Sequence, residues 1–106
     1  MVKRDIDARI MVDIQNFLKE IGKRYTIDAV YVFGSHAKGT THKWSDVDVA
    51  IISKDVNNRI DDLVEMLMIA DRYETYIHPH PYNADDFDAG EYVIAGEILR
   101  TGIRVA

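Results

Sequence analysis

Val32-Phe33-Gly34-Ser35-His36-Ala37-Lys38-Gly39-Thr40 and, a few residues on, Ser45-Asp46-Val47-Asp48-Val49-Ala50-Ile51-Ile52 decide how this chain is read. The stretch runs apolar strand, glycine turn, polar loop, then a second apolar strand bearing two carboxylates. Alternate residues of a strand face the same way. Asp46 and Asp48 should therefore share one face, with Val47 and Val49 turned into a core. Gly34 permits a turn or close approach that a β-carbon would block. Two hard oxygen ligands beside backbone N–H groups suit a divalent ion carrying a nucleotide phosphate.

Working outward, residues 29–33 form an almost continuously apolar run, as expected of a strand buried on both faces. Residues 35–39 read as a compact turn and 46–52 as the second strand. Upstream, Ile6, Ile10, Ile14, Phe17, Leu18 and Ile21 recur at helical spacing. Asp5 and Asp7 stand near that helix's start, and Gly22 with Lys23 and Arg24 suits its end. Downstream, Ile60, Leu63, Val64, Leu67 and Met68 make the cleanest helical stripe, with Asn57 or Asn58 as cap. Met66 and Met68 are expected as core filler or partner-facing surface. A third strand is expected over 73–78, stopped or marked as an edge by Pro79 and Pro81. Asn83 can cap a short turn through Phe87. A last helix is expected over 92–100, with Gly102 as its C′ residue. Residues 103–105 could add an edge strand. Helix, strand, strand, helix, strand, helix predicts one α/β (α+β) domain over 1–106, a small mixed sheet covered by helices.

Composition narrows the function. The 106 residues carry a net charge of −5, which disfavours broad nucleic-acid binding. With no cysteine, disulfides and thiolate zinc sites are excluded. No signal peptide or membrane-spanning run is evident, so a cytoplasmic location is expected.

Among phosphate-binding patterns, a P-loop needs lysine directly after its second glycine, but Thr40 follows Gly39. The dinucleotide fingerprint Gly-x-Gly-x-x-Gly is absent. What remains is Gly34-Ser35, the ten residues from His36 to Ser45, then Asp46-Val47-Asp48.

On those residues the chain resembles the minimal nucleotidyltransferase domains of the polymerase-β-like superfamily. The resemblance implies transfer of a nucleoside monophosphate, with AMP from ATP as the expected case, to a hydroxyl of a partner protein. It further implies that Gly34 and Ser35 hold the β- and γ-phosphates, with Lys38 or Lys43 neutralising charge. Asp46 and Asp48 would coordinate magnesium, as two ions, with Asp48 bridging them. Many similar proteins serve as antitoxin to a small helical HEPN-type toxin, a ribonuclease. Such proteins usually carry a third carboxylate on the strand after the second helix. Here Glu74 or His78 could supply that function, or it is missing. A non-catalytic antitoxin acting by direct binding is therefore the alternative. Transfer to a small molecule such as an antibiotic is a further one.

His78-Pro79-His80 also places two imidazoles where they could face one metal, although the sequence shows no obvious third ligand beyond the neighbouring Asp85 and Asp86. An ordinary loop pair is the simpler reading. His36, His42 and Trp44 read as loop and packing residues. Tyr92 could face a partner or accept a modification.

Overall fold

A computed structural model describes residues 6–34, 47–73 and 76–106. Helix α1 spans Ala8–Ile21, strand β1 Ile27–Phe33, strand β2 Val47–Ser53 and helix α2 Arg59–Ala70. Strand β3 spans Ile77–Asn83, the short helices α3 and α4 Ala84–Asp88 and Ala95–Thr101, and strand β4 Ile103–Arg104. The four strands form one mixed sheet in the order β3-β2-β1-β4. β1 pairs antiparallel with β2 and β4, while β2 pairs parallel with β3. This is the expected small mixed sheet with helices.

The pleat sorts side chains between two apolar layers. Val30 and Val32 of β1 and Val47, Val49 and Ile51 of β2 face α1 and α2. There they meet Ile14, Phe17, Ile21, Met66 and Ile69. Phe33, Ala50, Ile52 and Tyr82 face the other way and pack with Ala84 and Phe87 of α3 and Ala95 and Ile98 of α4. A parallel pair needs a long crossover, and α2 supplies it between β2 and β3.

Local chemistry sets the helix ends. The Asp7 carboxylate caps α1 by accepting from the Arg9 N–H at 2.8 Å. Asn58 caps α2 through the Asp61 N–H, and Asn83 caps α3 through the Asp86 N–H. One carboxylate ties three segments together. Asp62 accepts from the Tyr25 hydroxyl at 2.7 Å and from the Asn57 N–H at 3.1 Å. Burial and that bond push the Tyr25 phenol well above its ordinary pKa.

Three expectations are corrected. The third strand lies at Ile77–Asn83, not 73–78, and Pro79 and Pro81 sit inside it. In a parallel pair the N–H and C=O of one residue point to the same side. The Tyr76 carbonyl accepts from Val47 N–H at 2.7 Å, so alternate residues from 76 onward face β2. Both prolines therefore turn their donorless nitrogens to the outer edge, where no ladder bond is lost. The Pro81 carbonyl on that edge accepts from Arg59 Nε at 3.0 Å.

The α2 stripe is the second correction. Met66, Ile69 and Ala70 are buried, whereas Ile60, Val64, Leu67 and Met68 are exposed. Periodicity marked an apolar face, but not the one against the sheet. Third, the last helix begins at Ala95 rather than 92, and Gly102 caps it in extended rather than left-handed geometry. Its lack of a side chain still matters, because a Cβ there would lie 2.5 Å from the Ile98 carbonyl oxygen.

The two methionines of α2 provide a test of this packing. Met66→Ala should cost about 2–5 kcal/mol in urea unfolding, as for a fully buried side chain. Met68→Ala, at an exposed position, should change stability by no more than about 0.5 kcal/mol.

Candidate active site

The sheet register builds the site. Phe33 ends β1 opposite Asp48 on β2, and Asp48 stands opposite His78 on β3. One step along, Tyr31, Ala50 and His80 form the next row on the same face. Asp48 thus lies near the start of β2, beside Phe33 of the apolar layer that packs with α3 and α4. Its side chain is 28% exposed.

Both imidazoles of β3 turn toward it. His80 Nε2 lies 3.1 Å from Asp48 Oδ1, within hydrogen-bonding distance. His78 Nδ1 lies 3.5 Å from the same oxygen. The different nitrogens follow from reach. His78 is directly across the ladder and presents its near nitrogen, while His80 is one pleat repeat away and uses its far one. The small Ala50 opposite His80 leaves room for that diagonal. The Phe33 ring packs against His80, with centroids 5.0 Å apart, and so does the His78 ring, at 4.5 Å.

The other carboxylate oxygen faces the turn. Gly34 has φ +75°, and a Cβ built on it would lie 2.6 Å from Asp48 Oδ2. Only glycine meets both conditions at once. Asp48 is therefore pressed between the backbone leaving β1 and the imidazoles of β3.

Electrostatics favour an uncharged His80. Burial holds its pKa below the ordinary 6.5, Asp48 pulls it back up, and the neighbouring His78 adds to the lowering. A neutral imidazole offers a free lone pair to a metal or a proton. Asp48, His78 and His80 each present a ligand atom, all within 4.8 Å of one another, so the three could hold a metal ion.

Of the residues singled out from the sequence, Gly34, Asp48 and His78 meet here. Ser35, Lys38, Lys43, Asp46 and Glu74 lie outside the described residues, as do His36, His42 and Trp44. The suggested metal ligands Asp85 and Asp86 are exposed in α3 and are not part of the cluster. The third partner for the histidine pair is Asp48, which comes from the neighbouring strand. His80 is the residue sequence reasoning undervalued. Its signal was the two-residue spacing from His78 on an extended segment. Tyr92 is half-buried, and its hydroxyl accepts from the Asn83 N–H at 3.2 Å.

A carboxylate thus stands beside a tight glycine turn on a central strand of a mixed sheet. The model of the nucleotidyltransferase domain family matches residues 14–98, and the chain belongs to that family. The fold is also similar to that of a Sulfolobus solfataricus protein, provisionally described as a nucleotidyltransferase. The TM-score is 0.60 at 16% identity, over 98% of this chain and 87% of that one. No curated protein sequence gives a significant match. Among the described residues no helix is long and apolar enough to cross a membrane.

Two measurements probe this geometry. Gly34→Ala should destabilise by about 1–3 kcal/mol, from left-handed backbone strain plus the collision with Asp48. In an Asp48→Ala background the collision disappears, so a double-mutant cycle should show coupling between the two sites. In metal-free protein, His80 should titrate below 6.5 by histidine NMR. Because the unfolded chain takes up that proton first, stability should fall as pH drops from 6.5 through the lower folded value. His80→Gln should remove that portion of the pH dependence.

Proposed function

We propose that the chain transfers a nucleoside monophosphate from a nucleoside triphosphate, with ATP as the expected donor, to a hydroxyl of a partner protein. A small helical HEPN-type toxin is the proposed acceptor, with this chain as its antitoxin in the cytoplasm. Membership of the nucleotidyltransferase domain family supports the reaction class. The observation that carries the site is the contact between the Gly34 turn and the Asp48 carboxylate.

In this reaction the acceptor oxygen bonds to the α-phosphorus. The bond from that phosphorus to the oxygen bridging toward the β-phosphate breaks, and pyrophosphate leaves. The hydroxyl proton passes to a base, for which Glu74 and His78 are the candidates. Gly34 opens the turn that would bring backbone N–H groups to the phosphates, with Ser35 and Lys38 completing it. Asp48, with Asp46, would hold the divalent cation that neutralises the triphosphate. The magnesium expected by resemblance takes an all-oxygen shell. The described donors include two imidazole nitrogens, so they do not match that shell.

A second reading has its own support. The exposed Ile60, Val64, Leu67 and Met68 on α2 form an apolar surface suited to a protein partner. It assigns neutralisation to binding alone, without transfer.

Purified protein, a HEPN-type candidate partner and labelled triphosphates should be combined with a panel of divalent ions. Labelled partner is the expected result, with Asp48→Asn lowering the rate at least about 100-fold, as for loss of a central charge-stabilising group. Toxin neutralisation that persists undiminished in Asp48→Asn, with no labelling by the native chain, would favour binding alone.

A further inference from the structure

We propose that Asp48, His78 and His80 form a site for a borderline divalent transition-metal ion of the zinc class, in preference to magnesium. This deepens the reading of the same site. It rests on nucleotidyl transfer only in letting a phosphate oxygen take an open position on the ion.

The donor chemistry comes first. Two imidazole nitrogens and one carboxylate oxygen lie within 4.8 Å of one another. Imidazole suits zinc and its transition-metal neighbours, whereas magnesium selects oxygen. A shell with two nitrogens is therefore biased against the ion that an all-carboxylate site would take.

The geometry agrees. Ligand atoms around a tetrahedral ion with bonds of roughly 2.0–2.1 Å stand about 3.3 Å apart. Asp48 Oδ1 is 3.1 Å from His80 Nε2 and 3.5 Å from His78 Nδ1. Three protein ligands leave a fourth position for water or a phosphate oxygen, the arrangement of zinc sites that remain open to substrate.

The support is rigid. All three ligands stand on paired strands, with Asp48 and His78 directly opposite in the parallel ladder. Phe33 packs against the His80 ring and limits its swing. Gly34, with no Cβ, leaves room for the other carboxylate oxygen beside the turn. With both imidazoles on the ion, His78 is no longer available as the base. Of the two candidates named for that role, Glu74 remains.

The test is a metal titration of chelator-stripped protein without nucleotide, followed by calorimetry and by histidine nitrogen NMR. One equivalent of Zn2+ should bind and shift His78 Nδ1 and His80 Nε2, and a hundredfold excess of Mg2+ should not displace it. His80→Gln and Asp48→Asn should each weaken Zn2+ at least about tenfold. His78, at the open edge, can be changed with little risk to folding. His78→Asp should move preference toward Mg2+ while the metal-free unfolding midpoint stays within the range of a surface substitution. Failure to bind Zn2+, displacement by equimolar Mg2+, or unchanged affinity in all three variants would overturn the proposal. These outcomes are separable from the transfer reading, because transfer could proceed with Mg2+ when zinc fails to bind, and zinc could bind a chain that transfers nothing.

Discussion

The parallel pairing of β3 with β2 is the constraint on which the rest of the structure depends. Its register sets Asp48 against His78 and Ala50 against His80. Moving β3 by one residue would turn both imidazoles into the layer beneath α2 and bring Pro79 and Pro81 to the site. The crossover helix, the buried valines of β2 and the Tyr76–Val47 hydrogen bond all hold that register. The site therefore draws its geometry from the core, not from a loop that happens to carry polar residues.

The two layers divide the labour. The face beneath α1 and α2 is apolar along β2, from Val47 through Ile51. On the other face the apolar layer of Ala50, Ile52 and Tyr82 beneath α3 and α4 extends to Phe33, and Asp48 stands directly opposite it. A carboxylate is tolerated on a central strand here because that end stays partly open to solvent. The same strand thus serves as core on one side and as chemistry on the other.

Much of this was legible from residue order, and the parts that were not have physical reasons. Gly34 and Asp48 stood out because a turn glycine after an apolar run and a carboxylate within one have few structural uses. Residues 103–105 were read as an edge strand, and Ile103–Arg104 pair with β1. Of the two readings of Pro79 and Pro81, the edge strand holds and the stop does not, and taking the strand to end before them misplaced it. A proline's cost depends on which side its nitrogen faces, and that parity is a property of pairing. The error hid His80, which looked like a loop residue beyond the strand's end. On α2, periodicity found apolar residues without saying which set faces inward. Met66 and Ile69 are buried, while the more regular stripe faces out. Which stripe is buried depends on how the helix rotates over the sheet, information that lies in the strands.

The two prolines have a consequence for how this molecule can meet others. The outer edge of β3 offers few backbone donors, since every residue that turns its N–H outward between 79 and 81 is proline. The opposite edge is closed by β4, only two residues long. A sheet blunted on both sides is a poor template for strand addition, whether by a peptide, a second copy or a misfolded neighbour. Association would then fall to the helical faces rather than to the strands that carry Asp48.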